Sequence, residues 1–239
     1  MAGRIAHYGG IVTNGLVLAL DAAKKDSYPG SGTVWRDISG NGNNGTLTNG
    51  PTFNSGNGGS IVFDGVDDYG QLLSKLFQGV NDFTFSCVFK NTASTYSYYG
   101  GPIYTEHTSG VGTNNTAGFW IGEPDSSVSS SPFRLAFWYQ VSNSLQKTYS
   151  TSTIVVNRTV DVSFVREGNQ AKIYIDGTLD VSATRSTGPL DVRSNNPLIA
   201  SVGYGARYLG SIYTMRCYNR ALTAQEVLQN YNATKSRYL

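Results

Sequence analysis

An all-β fold of the sandwich type is what this sequence predicts, and three observations predict it. The 239 residues include 28 glycines and 12% aromatics but only 14% charged residues, which suits many short strands joined by tight turns better than helices built from Ala, Leu, Glu and Lys. Apolar or β-branched segments of four to eight residues recur between clusters of Gly, Asn, Ser and Pro, the pattern of strands and hairpins. A helical period is confined to the C-terminal end.

After a polar first dozen residues, "LVLALD" (Leu16 to Asp21) reads as the first strand, and "SYPGSG" turns the chain. "SGNGNNG" (Ser39 to Gly45) follows. Asn and Gly tolerate left-handed backbone, so this run is expected to be a folded turn whose Asn side chains satisfy loop amides. A phosphate loop is excluded, because no Gly-Lys-Ser/Thr follows and no helix opens there. "SIVFDG", "FTFSCVFK", "GPIYTEH", "AGFWIGE" and "FRLAFWYQ" are the next strands.

From Thr159 to Thr184, Val160, Val162 and Phe164, then Ile173 and Ile175, alternate with polar residues around "EGNQ" and "DGT" turns. Consecutive antiparallel hairpins with one wet face are expected. The last element is a helix over about 223–232, in which Thr223 and Glu226 form a capping box and Leu222 staples onto Val227. It should lie on the sandwich through Val227, Leu228 and Tyr231. No composition break divides the chain, so one domain (15–239) is expected, preceded by an arm (1–14) that could serve as an attachment segment.

Charge excludes some functions. A formal charge of +2 from 18 basic and 16 acidic residues offers no basic stripe for nucleic acid. No stretch approaches the roughly 20 apolar residues of a membrane helix, and "MAGRIAHYGGIV" lacks the apolar core of a secretion signal. Synthesis in a cytosol is expected, with Cys87 and Cys217 as free thiols.

The candidate chemistry is sparse. Asp64, Asp67 and Asp68 in "FDGVDDY" are hard oxygen ligands, but three carboxylates fall short of a calcium shell, so no metal is expected; if calcium does bind, Asp21 is the additional ligand. Asp64 and Gly65 would otherwise make a hairpin turn while the other aspartates cap loop amides. A retaining glycosidase needs two carboxylates about 5 Å apart. Glu106, Glu123, Glu167 and Glu226 have no such arrangement, and His7 and His107 lack a nucleophile partner. No enzyme is expected.

Aromatic residues remain. Trp120 follows Phe119 in one strand, and "RLAFWYQ" sends Phe137 and Tyr139 to one face and Trp138 to the other. Whichever set is not core could stack on a sugar ring. Tyr96, Tyr98 and Tyr99 lie in the Ser/Thr/Gly-rich "TASTYSYYGGP", a composition suited to adaptable recognition. Tyr96, Tyr98, Tyr99, Trp120, Trp138 and Tyr139 are therefore the candidate ligand-binding residues.

The order "LVLALDAA", Trp35 to Leu47, "FDGVDDY", "FTFSCVF", "YIDGTL" and "YNRALTAQEV" resembles the laminin-G-like jelly-roll domains of the concanavalin A-like lectin/glucanase superfamily, from about Gly15 to Tyr231. The resemblance implies a jelly-roll sandwich of two antiparallel sheets without the catalytic carboxylates of the glucanases. The family usually carries a Trp-His pair before "YIDG" and acidic residues before "YNRAL". This chain has "NRTVDVSFV" and "GSIYTMRCYNRAL" instead, which gives no support to an acidic function there. The wording is similar to domains of tailed-phage virion proteins, marine ones notably. That likeness implies a non-enzymatic head decoration, fibre or tail appendage, located on the virion after synthesis in the host cytoplasm. Its partners would be other virion proteins and further copies of itself, with host glycan as a weak ligand of the loops. A stand-alone lectin, with or without calcium, is the rival reading.

Overall fold

The computed structural model describes residues 10–97, 100–106, 117–122, 128–190, 196–203 and 205–238. In chain order the strands are β1 Leu16–Asp21, β2 Val34–Trp35, β3 Gly45–Thr48, β4 Thr52–Asn54, β5 Ser60–Asp64, β6 Tyr69–Leu72, β7 Phe83–Asn91, β8 Thr95–Ser97 and β9 Gly101–Glu106. They continue as β10 Ala117–Ile121, β11 Val128–Ser130, β12 Phe133–Val141, β13 Ser144–Ile154, β14 Thr159–Glu167, β15 Gln170–Ile175, β16 Thr178–Thr184, β17 Leu198–Ile199 and β18 Leu209–Tyr218; helix α1 spans Ala224–Tyr238.

Two antiparallel sheets form the sandwich, as the sequence predicts. The first runs β16-β15-β14-β7-β18-β5-β4, with β1 joining the far half of β18, and the second runs β13-β12-β10-β9-β17-β6-β3-β2. The short pair β11-β8 stands apart. Inward side chains of both sheets meet in an aromatic core, where Phe119 stacks on Phe85 at 4.2 Å and on Phe164 at 4.6 Å. Burying each such ring contributes about 2–3 kcal/mol.

The Asn/Gly turn is built around Asp37. Its carboxylate accepts the amides of Ala19, Ser39 and Asn43, while Asn44 Oδ1 accepts the Asp37 amide. Asn41 and Asn43 donate to the carbonyls of Leu16 and Val17. The run therefore staples itself to β1.

Two expectations are corrected. The hairpin β14-β15 is not wet on its outer face: Asp161, Ser163 and Val165 are buried, because α1 and the segment after β18 cover it through Val227, Leu222 and Tyr218. The helix also runs on to Tyr238, well past 232. Tyr238 packs on Tyr213, and its hydroxyl donates to Asp21 Oδ1, contacts to distant strands that the local period does not reveal.

The start of α1 matches the sequence reading. Glu226 N donates to Thr223 Oγ1 at 3.2 Å and Thr223 N to Glu226 Oε2 at 2.9 Å, with Leu222 and Val227 in one cluster. Leu228 is exposed and Tyr231 half-buried. Of the expected arm, residues 10–14 are fastened to the sandwich: Val12 N donates to Asn230 Oδ1, and Val12 O accepts from Tyr218. Residues 1–9 lie outside the described residues. Cys87 and Cys217 are buried free thiols, and burial pushes both well up from the usual thiol range.

Candidate functional site

The sequence nominates six aromatic residues. Tyr98 and Tyr99 lie outside the described residues; the other four are buried, which corrects the expectation that they face a ligand. Tyr96 is 7% exposed. Its hydroxyl donates to Asn91 Oδ1 at 2.7 Å, and its ring meets Phe133. Gly101 makes this possible, since a Cβ there would lie 2.4 Å from the Tyr96 ring. Tyr139 is fully buried, with the Arg166 guanidinium 4.9 Å from its ring centre.

Trp120 and Trp138 project from the outer face of the second sheet, yet are only 3% and 2% exposed. They pack on each other at 5.4 Å, with Val202 and Ala206 in the same cluster. The Trp120 ring folds back over Gly118, where a Cβ would sit 2.3 Å from it. Lys147 lies 4.4 Å over the Trp138 ring. At the margin of this layer Leu145 and Tyr149 are half-buried, and Arg134 lies over the Tyr149 ring at 5.2 Å. Beside this tryptophan pair, Tyr149 is an aromatic ring that reaches solvent; Tyr69, half-buried on β6 with Arg207 over its ring at 5.8 Å, is another on the same sheet face. The sequence signal for Tyr149 is a lone aromatic in the Ser/Thr-rich strand "KTYSTST", weaker than that of the three tryptophans.

The aspartate loop is a turn closed on itself. Asp64 Oδ1 accepts the amides of Val66, Asp67 and Asp68, and Asp68 Oδ2 accepts the Asp64 amide. These bonds hold the Asp64 carboxyl below the usual range, whereas burial raises that of Asp68. One carboxylate oxygen from each of Asp64, Asp67 and Asp68 lies within 4.8 Å of the other two. Asp21 does not join them: its carboxylate is taken by Arg237, Tyr238 and the Ala23 amide.

Other carboxylates have structural roles. Glu226 binds Arg220 and is held down at about 2, chiefly by that hydrogen bond. Glu167 pairs with Lys172. Glu106 is fully buried and accepts from the Tyr104 hydroxyl and the Leu76 amide, and burial pushes it up to about 6. Glu123 and His107 lie outside the described residues. Sequence reasoning missed the burial of Asp161, which desolvation raises to about 7 against the opposing pull of Arg216. Nothing in "TVDVSFV" signals it, since an alternating aspartate reads as solvent-facing.

With fold and face described, the comparisons have a place. Residues 64–228 match the laminin-G-like family model of the concanavalin A-like lectin/glucanases superfamily, and the chain belongs to that family. Among solved structures it is similar to domain 4 of AbnA, an extracellular arabinanase from Geobacillus stearothermophilus in complex with arabinotriose. The TM-score is 0.67 at 17% identity, covering 90% of this chain and 98% of that one. It is similar also to the binding domain of Paraclostridial mosquitocidal protein 1, with a TM-score of 0.66 at 14% identity over 92% of this chain and 52% of that one. A sialidase of Trypanosoma rangeli gives 0.62 at 14% over 96% and 34%. The chain thus spans about half the toxin binding domain and about a third of the sialidase. At these identities the likeness is one of fold. No curated protein sequence matches the chain.

Proposed function

We propose that this domain is a non-enzymatic recognition module that binds glycan weakly, and that its setting is the surface of a tailed-phage virion, as head decoration, fibre or tail appendage. The observation that carries the recognition reading is the outer face of the second sheet, where a buried tryptophan pair supports half-buried Tyr149 flanked by Arg134 and Lys147. A rigid aromatic with cationic neighbours offers stacking to the C-H face of a sugar and hydrogen bonds to its hydroxyls. Tyr98 and Tyr99 remain proposed contacts. The near end-to-end match with a domain crystallised with arabinotriose supports the same reading.

The roles found for Glu106, Glu167 and Glu226 support a module without hydrolytic chemistry, since each is committed to a structural contact and a retaining pair needs carboxylates about 5 Å apart. The virion setting rests on the likeness of the sequence motifs to phage virion proteins; a homo-oligomer would follow, because appendages occupy symmetric sites. No cofactor is proposed.

A glycan panel that includes arabino-oligosaccharides tests the module. Saturable binding weakened about tenfold or more by Tyr149→Ala is expected, in line with the loss of a stacked ring. Binding unchanged in that variant would move the site elsewhere. Light scattering on the whole chain tests the setting: a discrete multimer is expected, and a monomer would favour the stand-alone lectin.

A further inference from the structure

A cleft lies over the outer face of the first sheet, with a volume of about 200 Å³. Its floor is Ala19 to Asp21 of β1 and Arg216 of β18, which faces Ala19 in register. One wall is the last turns of α1, with Thr234 and Arg237, and the other is Gly10 and Ile11. Lys24 stands exposed at the rim.

The charges of this cleft do not cancel. Asp21 is fully engaged by Arg237 Nη2 at 2.9 Å, the Tyr238 hydroxyl at 3.0 Å and the Ala23 amide at 3.1 Å. Arg216 is only 3% exposed, and among the described residues no hydrogen bond or ion pair reaches its guanidinium. Asp161, across β7 and itself buried, feels its charge but forms no ion pair with it. An arginine keeps its proton, and this guanidinium is not sealed away but opens on the cleft, so its donors are available to a ligand there.

We infer that this cleft is a binding site for a small oxyanion group, with Arg216 as the planar fork at its floor and Lys24 as the second uncompensated positive charge at its rim. The guanidinium matches a carboxylate, sulfate or phosphate through two parallel hydrogen bonds. A group of this chemistry arrives either as a free ion or as the acidic end of a sugar, and the volume admits both. The inference does not depend on glycan binding at Tyr149, which lies on the other sheet.

The test is a titration of the full chain, at constant ionic strength, with inorganic phosphate, sulfate, a methyl uronide and neutral methyl glucoside, read by calorimetry and Tm. Saturable millimolar binding of the anions and none of the neutral sugar is expected. Arg216→Gln should weaken binding at least tenfold, and Lys24→Gln, a solvent-exposed change that leaves the fold intact, about threefold. Tighter binding of the uronide than of the inorganic ions would identify an acidic sugar as the source, and equal binding a free ion. If Arg216→Gln fails to fold, the Lys24→Gln effect still decides. No saturable anion binding by the wild-type chain, or binding indifferent to Lys24→Gln and Arg216→Gln alike, would overturn the inference.

Discussion

At the scale of single residues, glycine decides where two of the aromatic rings go. Gly118 and Gly101 leave room that the Trp120 and Tyr96 rings fill. Gly118→Ala should displace Trp120 and cost about 1–3 kcal/mol by overpacking, seen as a lower denaturation midpoint together with altered near-UV tryptophan dichroism. Loss of stability with an unchanged tryptophan signal would show that the strain is relieved elsewhere. Tyr96→Phe keeps the ring and removes the hydroxyl bonded to Asn91 Oδ1. A cost of about 1 kcal/mol is expected, the usual net worth of one such bond, since Asn91 Oδ1 still accepts from the Ala93 amide. Were Tyr96 a loop residue in solution, the same change would leave the denaturation midpoint where it was.

At the scale of elements, the capping box at the start of α1 is the clearest passage from sequence to structure. Thr223→Ala should cost about 1 kcal/mol, measurable by urea denaturation, and Thr223→Ser should restore most of it. The hairpins around Gly168 and Gly177 and the Asn/Gly turn were equally legible, because their chemistry is local: positive φ at Gly168 and Gly177, and side chains that bond neighbouring amides. What was not legible depends on contacts distant in sequence. The outer face of β14 carries Asp161 and Ser163 in a wet-looking alternation, and only the arrival of α1 buries them. Tyr96 sits among serines and threonines, and only the position of Gly101 and Phe133 makes it core. Alternation in "RLAFWYQ" places Trp138 on the opposite face from Phe137, but the second cover of Val202 and Ala206 is not written in its own strand. Arg216 was invisible as a site residue for the same reason.

For the whole molecule, buried carboxyl groups set the pH response. Glu106 is raised to about 6 and Asp161 to about 7, both by burial. A carboxyl raised in the folded state favours folding while protonated, so its contribution is complete below the unfolded value near 4 and is lost as pH rises through 6 to 7. Glu226, held at about 2 by Arg220, works in the opposite sense and loses its contribution as pH falls below the ordinary carboxylate value. Tm should therefore peak between about pH 4.5 and 6 and decline toward pH 8. Glu106→Gln should flatten that decline by about 2 kcal/mol, the equivalent of its shift. A Tm that climbs steadily from pH 5 to 8 would contradict the assignment.

No helix among the described residues is long and apolar enough to cross a membrane. The proposed glycan face carries Tyr149 beside the tryptophan pair, and the proposed anion cleft carries Arg216 beneath α1. The proposed activity is recognition of sugar without cleavage. The most direct measurement is a calorimetric titration of the strongest panel glycan into the whole chain, with the recovered sugar then analysed for shorter products. Saturable binding with the glycan recovered intact is the predicted result. Shortened products that accumulate with protein concentration, or no binding by any glycan of the panel, would contradict it.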